Sequence, residues 1–501
     1  MAPNRTPLLV PGMTCGSLHE HPESGLLVDG RDIYKAVYDA CSQARHTILI
    51  AGWQFDNNVA LLRGDDAEHA EHATRLVAML RELCVQRPEL EVFILGWKRN
   101  PLFVLERVPL QPLLLRLAGH PRIHYRSDAS HPAGASQHQK FLVVDRAIAL
   151  VGGMDICNSR WDRREHRADD RDRRNRWRHY GPYHDVHAYV TGDAVDVLRS
   201  WFCERWERAT GQPLALPDVP RGKVEIEPSL ALHAPRVGLA RTCPASDEPA
   251  CRGVEEIYQL HLRAIAAAEQ LIYLENQYLS SHQLARALEQ RMARGGRPLQ
   301  IVLLLPAHSK RFKERISMGA MQEGILKQLG DAAARFGHRL GVYYSAVRDG
   351  EHEVPVFVHA KVLAVDDRFL LVSSANTTNR SMGFDSELGI AWESPVPSAS
   401  LREARVDLLA EHCGIARSEA QTLLCPIDGL VDRLDALAGR RAHRLRLHAR
   451  NVDEHPGPVL SKLLREPTPF DPRDPRSFLE ALPAPVAFVQ RLWQRLRGRR
   501  R

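Results

Sequence analysis

Two segments of the chain hold the same reactive groups at the same spacing. His138, Lys140 and Asp145 lie in HQKFLVVD, and His359, Lys361 and Asp366 lie in HAKVLAVD, so both read His-x-Lys-x4-Asp. With nine Lys and 24 His in the chain, independent placement would yield roughly 0.03 copies, and two copies are not chance. A third start, His308-Ser309-Lys310, has Arg315 in the Asp place and reads as helix. On a strand, residues two apart share a face, so each copy presents one imidazole beside one fixed cation. Each Asp falls in the turn of a hairpin, a place for backbone or ion-pair contacts; as third member of the pattern it stays among the catalytic candidates.

Two imidazoles and two ammonium groups brought together suit attack on a phosphodiester. One neutral imidazole attacks phosphorus, the other, protonated, releases the alcohol, and Lys140 and Lys361 neutralise the phosphoryl oxygens. With those cations supplied by the chain, no metal or other cofactor is expected. His184-Asp185-Val186-His187 lacks the helical HExxH frame of a zinc site, and no Cys/His cluster has zinc spacing.

The elements that must position these groups recur in order. Strands are predicted at Thr47 to Phe55, Leu90 to Trp97 and Arg122 to Arg126, with helices at Ala67 to Gln86 and Leu110 to Leu117, then a hairpin of Phe141 to Val144 and Ala147 to Val151. The second half repeats this order. Its strands are Leu271 to Leu279, Leu299 to Leu305 and Leu340 to Ser345, its helices His282 to Met292 and Arg315 to Phe336, and its hairpin Val362 to Val365 and Phe369 to Val372. Gln54-Phe55 matches Gln277-Tyr278 at an offset of 223 residues, and the two motifs are offset by 221. The fold class is therefore α/β: two similar mixed-sheet halves related by duplication, with the active site where the copies meet. The divisions are 25–210 for the first half, 211–255 for a Pro-rich linker, 256–396 for the second half and 397–501 for a helical C-terminal extension.

Residues around the motifs resemble the phospholipase D superfamily, in particular its eukaryotic-type phospholipases D. Ser374, Asn376 and Glu387 follow His359 by 15, 17 and 28 residues, like that family's GSxN and following Glu. Gly152 to Asp162 (GGMDICNSRWD), Tyr183 to His187 (YHDVH) and Ile272 to Tyr278 (IYLENQY) are similar to further stretches of those enzymes. The likeness spans about 25 to 395 and departs at Ser373 and Ser159, each in place of Gly, and at Tyr183, in place of Trp. The resemblance implies His138 as the nucleophile that forms a phosphohistidine and His359 as the acid that later activates water. It implies Glu387 as the carboxylate orienting His359 and Asp185 as the one orienting His138, since His166 stands 28 residues after His138. Asn376 and Ser374 would donate hydrogen bonds to the substrate. Asp155, in the place of Asn376, is either a substrate contact or structural, and Asn276 and Gln277, with Glu275 and Trp53, either line the mouth or pack strand ends.

The implied activity is hydrolysis of glycerophospholipids to phosphatidic acid and the headgroup alcohol. Phosphatidyl transfer to another alcohol, as in a cardiolipin synthase-like enzyme, uses the same chemistry and is the alternative, followed by a nuclease. A net charge of +7, from 68 Lys and Arg against 61 Asp and Glu, excludes a charge-driven nucleic-acid coat, and 6% aromatic residues do not favour a strand-stacking groove. The expected partner is a phospholipid surface, with no nucleic acid, and a monomer because one chain holds both motifs. Nine Cys without a CxxC pair read as free thiols, although Cys243 and Cys251 could bridge in an exported protein. No signal peptide, membrane span or N-terminal targeting module is expected, giving a cytoplasmic or peripheral membrane location, with signal-independent export also open. Two basic features could meet lipid. Arg160 to Arg178 holds nine Arg against five acidic residues and reads as a lid or a solvated face. Phe488, Val489, Leu492, Trp493 and Leu496 form an apolar stripe among Arg residues, an interfacial helix or a packing one.

Overall fold

The computed structural model of the chain describes residues 6–56, 58–97, 120–175, 178–247, 250–308, 319–448, 471–474 and 477. The helices expected at 110–117 and near 486–501, and residues 315–318 of the long helix, lie outside this set.

The first half opens with β1 (Ser17–Glu20), β2 (Ser24–Val28), α1 (Asp29–Ser42), β3 (Thr47–Gly52), α2 (Leu76–Gln86), β4 (Glu91–Trp97) and β5 (Ile123–Asp128). It continues through the hairpin β6 (Phe141–Val144) and β7 (Ile148–Gly152), then β8 (Tyr183–His184), β9 (Val186–Thr191) and α3 (Asp193–Thr210). The crossing segment carries β10 (Leu230–Leu232) and β11 (Arg236–Cys243). The second half contains α4 (Glu256–Ala267), β12 (Leu271–Glu275), α5 (His282–Ala293), β13 (Gln300–Leu304), α6 (Ala320–Phe336) and β14 (Arg339–Asp349). Then come β15 (Phe357–Val358), β16 (Val362–Val365), β17 (Phe369–Ser373), β18 (Glu387–Glu393), α7 (Ala399–Cys413), α8 (Leu430–Ala438) and β19 (Leu445–Leu447).

One sheet runs β10-β2-β9-β7-β6-β3-β4-β5, and the other contains β1-β11-β18-β17-β16-β12-β13-β14. Seven strands correspond one to one: β2-β9-β7-β6-β3-β4-β5 repeats as β11-β18-β17-β16-β12-β13-β14. The senses agree too, with β3, β4 and β5 parallel like β12, β13 and β14, and the remaining pairs antiparallel. The two halves are therefore copies of one α/β unit. α3 and α7 hold equivalent places, and each ends at a left-handed glycine, Gly211 and Gly414.

Alternate residues of the central strands enter different cores, which is why their sequences are apolar on both faces. Leu49, Ala51, Phe141, Val143, Leu271, Tyr273, Val362 and Ala364 share a core between the halves. Ile48, Ile50, Leu142 and Val144 pack under α1 and α2, and Ile272, Leu274, Leu363 and Val365 under α4, α5 and α6. The Pro-rich stretch read as a linker is built into this frame. Its residues 211–229 carry no regular element, but β10 pairs β2 in the first sheet and β11 pairs β18 in the second, while β1 joins β11 across the halves. The C-terminal extension is likewise part of the core: Leu408, Leu409 and Leu434 enter the shared cluster, and β19 pairs β14.

Candidate active site

Each motif sits at the entrance to its hairpin. His138 and Lys140 precede β6, and His359 and Lys361 precede β16, on extended chain rather than inside the strands. The segments ahead of them pair with the opposite half. Gln137 bridges Ser386, and β15 pairs β8 in parallel. Consequently His138 N donates to Ser386 O at 2.9 Å and His359 N donates to His184 O at 2.8 Å. The residue after each acceptor is a carboxylate, and it meets the imidazole just delivered. His138 Nδ1 lies 2.9 Å from Glu387 Oε2, and His359 Nδ1 lies 2.6 Å from Asp185 Oδ2.

This corrects the expected partnership, which gave Glu387 to His359 and Asp185 to His138. Each carboxylate serves the histidine of the other copy, because backbone pairing between copies sets the register. Both carboxylate side chains are fully buried, while His138 and His359 keep 19% and 13% exposure, enough for their free nitrogens to meet a substrate.

The lysines lie between these pairs. Lys140 Nζ donates to His138 O at 2.8 Å and stands 3.7 Å from Asp155 Oδ2; the carboxylates of Glu387 and Asp185 also act on it. Lys361 Nζ donates to His359 O and lies 3.1 Å from His359 Nδ1. Burial pushes Lys140 below the usual lysine range and brings Lys361 down to about 7. His359 is held well below the ordinary imidazole value, first by burial and then by the positive fields of Lys361, Arg160, Lys140 and His138. Burial raises Asp185 to about 7 against the opposing charges of Lys361 and His184. The groups thus form one low-polarity, cation-rich cluster in which each copy's charges act on the other's. Its packing needs Gly153: a Cβ there would stand 2.9 Å from Lys361 Cδ and 3.0 Å from Asp185 Oδ1.

Residues 261–406 match the family model described as "Cardiolipin synthase, PLD-like domain". The chain is 24% identical to phospholipase D alpha 4 of Arabidopsis thaliana over 79% of its own length and 66% of that protein's. It is 22% identical to a cardiolipin synthase of Geobacillus thermodenitrificans over 77% of its length and 66% of that enzyme's. The chain therefore spans about two thirds of these relatives. A phosphatidylserine synthase structure from Haemophilus influenzae overlays 84% of the chain and 95% of its own at a TM-score of 0.54 and 14% identity, a likeness of fold. These matches support membership of the phospholipase D superfamily.

Around this site, several candidates prove to be scaffolding. Asp145 accepts from the backbone N–H groups of Arg45, His46 and Thr47, and Asp366 accepts from those of Glu269, Gln270 and Leu271. Both sit at positive φ in their turns and cap the start of the neighbouring strand in each copy. They are structural, not catalytic. Ser374 is also corrected: its hydroxyl donates to Glu387 Oε2 and accepts from Leu388 N at 3.0 Å, so it orients the carboxylate and has no hydrogen left for a substrate.

Asn276 and Glu275 are buried behind the site rather than at its mouth. Asn276 Oδ1 accepts from Tyr278 N and Thr377 N at 3.3 and 3.1 Å, joining two loops of the second half. Asp155 Oδ1 accepts from Trp53 N and Gln54 N at 2.7 and 3.1 Å, so this carboxylate fixes the end of β3 as well as facing Lys140. Gln277 and Trp53 are half-buried, and Trp53 stacks on Trp97 with ring centres 5.5 Å apart. Asn376 is buried with no hydrogen-bond partner on Oδ1.

The Arg-rich segment is tied down rather than forming a free lid over its described length. Arg164 pairs with Asp407 and Glu411, Arg173 with Asp162, and Arg163 with Asp172. Arg160 lies 5.1 Å above the Tyr183 ring and adds its charge to the site. Cys15, Cys41, Cys84, Cys203, Cys413 and Cys425 are free thiols, and the Cys251 side chain lies outside the described residues. No helix among the described residues is long and apolar enough to cross a membrane.

Behind Asp185 lies a feature the sequence reading missed. Asp29, His166, His184 and Glu411, and again His184, Glu275 and His412, converge within 4.8 Å, all buried. His184 Nδ1 stands 2.7 Å from Glu411 Oε1 and 2.9 Å from Asp29 Oδ1. These are hydrogen-bond lengths, shorter than the roughly 3.3 Å between neighbouring ligands around a tetrahedral ion with bonds near 2.0 Å. The adjacency of His184 to Asp185 was the one local signal for this cluster; its other members come from distant elements.

Proposed function

We propose that the chain is a phospholipase D-type phosphodiesterase acting on glycerophospholipids. The observation that carries this is the crossed pair of buried carboxylates, each on Nδ1 of a motif histidine, which leaves both Nε2 atoms for chemistry beside two lysines. His138 Nε2 attacks phosphorus, forming a phosphorus–nitrogen bond as the bond to the headgroup oxygen breaks, and that oxygen takes a proton from His359. Water then gives a proton to His359 and attacks phosphorus, releasing phosphatidic acid and restoring His138. Lys140 and Lys361 hold the phosphoryl oxygens throughout, and the bound anion raises the proton affinity of the lysines and of His359. Asn376 is kept as a substrate contact through its NH₂ group, the part of the amide that can donate to a phosphoryl oxygen. The lipid reading draws support from the matched relatives, which carry phospholipase D and cardiolipin synthase names. A phospholipid surface is the partner, and one chain suffices because it supplies both motifs.

One observation favours a second assignment of the histidines. His359 is unprotonated in the free protein near neutral pH, the state a nucleophile needs, so the two imidazoles could exchange roles. Incubation with mixed phospholipids, with and without a primary alcohol, tests the function against a single-stranded DNA control. Phosphatidic acid, replaced in part by phosphatidylalcohol when alcohol is present, is the expected product. Release of nucleotides with lipids untouched would overturn the lipid reading, and product formed only with the alcohol would favour the transferase.

A further inference from the structure

We propose that His184 is a positioning residue: as a doubly protonated imidazole held by Glu275, Asp29 and Glu411, it fixes Asp185 against His359 and locks both copies to α7. The proposal rests on the catalytic reading above and adds residues to it. Asp29 and Asp185 are joined twice, since Asp29 N donates to Asp185 O at 2.8 Å and Asp185 N donates to Asp29 Oδ1 at 3.3 Å. That same Oδ1 lies 2.9 Å from His184 Nδ1, which is also 2.7 Å from Glu411 Oε1 on α7. His184 Nε2 reaches Glu275 Oε2 at 2.9 Å at the end of β12, in the other copy. The segment bearing Asp185 is thus held by α1, by the second half and by α7.

The proton count follows from the acceptors. Ionised carboxylates only accept, so a ring with both nitrogens at 2.7 to 2.9 Å from carboxylates donates from both and is an imidazolium. His166 is bound likewise, with Nδ1 at 2.9 Å from Asp162 and Nε2 at 3.2 Å from Glu411. Four carboxylates, Asp29, Asp162, Glu275 and Glu411, with Asp407 at the rim beside Arg164, then face four cations, His166, His184, Arg164 and Arg173. The opposed charges largely cancel, as burial demands. A divalent ion could replace the two imidazolium protons without changing the sum, but the short separations favour protons.

Asp185 feels this cluster directly. The groups facing it are His359 and Lys361 from the second motif, Lys140 from the first, Asp29 from α1, and His184 and Tyr183 on its own segment. The His184 charge favours its ionised form and the Asp29 charge opposes it. His184→Asn and Asp29→Asn should therefore shift the acid limb of kcat/KM in opposite directions on a soluble p-nitrophenyl phosphodiester. His184→Asn moves the limb up by about one pH unit, with kcat near pH 7 down about tenfold and KM little changed; Asp29→Asn moves it down. A purely structural role would scale the rate equally at every pH, and limbs that stay put or move together would overturn the proposal. A second measurement needs no turnover. In the full chain labelled with ¹⁵N-histidine, His184 should show a doubly protonated ring at pH 8, and a neutral ring would refute the idea even if His184→Asn fails to fold. Stoichiometric divalent metal in the purified protein, lost in Asp29→Asn, would replace the imidazolium with an ion. A wild-type protein that turns over no diester defeats the catalytic reading, while the ring signal still decides the network.

Discussion

Replacing Glu387 by Gln and Asp185 by Asn separates the two histidines by step, because each carboxylate serves only one of them. Glu387 Oε2 lies 2.9 Å from His138 Nδ1, and Asp185 Oδ2 lies 2.6 Å from His359 Nδ1. A hydrogen bond to a charged group contributes about 1.5–3 kcal/mol, so losing one slows its step by about 10- to 150-fold. An amide can also turn its NH₂ toward Nδ1 and impose the wrong tautomer, which costs more. With His138 as nucleophile, Glu387→Gln should slow formation of the phosphoenzyme and leave little label after rapid quench with phospholipid carrying ³²P. Asp185→Asn should slow water attack more than headgroup release when the leaving alcohol is a good one, so label accumulates. Peptide mapping decides the outcome: in Asp185→Asn the phosphate should sit on the His138 peptide. Label trapped on His138 in Glu387→Gln instead would refute the crossed partnership. Label on His359 in Glu387→Gln would keep the crossing and exchange the histidine roles.

Other expectations can be checked separately. Asp145→Ala and Asp366→Ala each strand three backbone donors at a strand start and should lower stability by about 2–4 kcal/mol, read by denaturant melts. The folded fraction should keep its turnover number, and selective loss of turnover with unchanged melts would return these residues to the chemistry. Lys361 is brought down from 10.5 to about 7, so between those values the native state binds fewer protons than the unfolded chain. Its contribution to stability therefore grows as pH rises through that window, and below about 7 the full penalty of burying the cation is felt. Lys361→Met should abolish turnover yet raise stability at pH 6 by roughly 1–3 kcal/mol, where Asp185 is largely protonated and leaves no bare charge; a lower midpoint at pH 6 would contradict the assignment. Because Lys140 and Lys361 supply the cations at the phosphoryl group, activity should survive a chelator, and loss restored by a divalent ion would put a metal into the mechanism.

The duplicated order of strands was legible because a strand buried on both faces leaves a continuous apolar run, and runs such as TILIAG and LIYLE recur between turns. The motif spacing was equally clear. What escaped was any relation set between the copies. His138 and Asp185 are 47 residues apart and His359 and Glu387 are 28 apart, spacings that invite pairing within a half. The actual partners are fixed by Gln137 on Ser386 and by β15 on β8, backbone contacts with no local pattern. Ser374 matched a substrate-binding position by type, yet its single hydrogen is taken by Glu387. The Arg-rich run looked like a solvated face because Asp407 and Glu411, the partners that tie its Arg164 to α7, lie over 200 residues away.

The crossing has a consequence for how such a site can be kept and lost. If each half held its own histidine and carboxylate, a half could keep a competent imidazole after its partner drifted away. Here neither imidazole has an orienting carboxylate until the copies dock, so docking and catalytic competence are one event. The shared core supplies the docking energy through apolar residues of both sheets and of α7, while the active-site groups oppose it: a lysine brought down to about 7 and an aspartate raised to about 7 are charges the fold buries against their preference. Substitutions that loosen the shared core, such as Trp392→Ala in β18, should therefore reduce turnover out of proportion to any change near the histidines. Trp392 is fully buried and its indole N–H donates to Ser24 in the other half at 2.9 Å, so its removal opens a large cavity at the interface, costing about 3–5 kcal/mol. Activity that falls only as far as the folded fraction falls would show that the copies stay registered without it, and that the backbone pairing at Ser386 and His184 alone holds the site together.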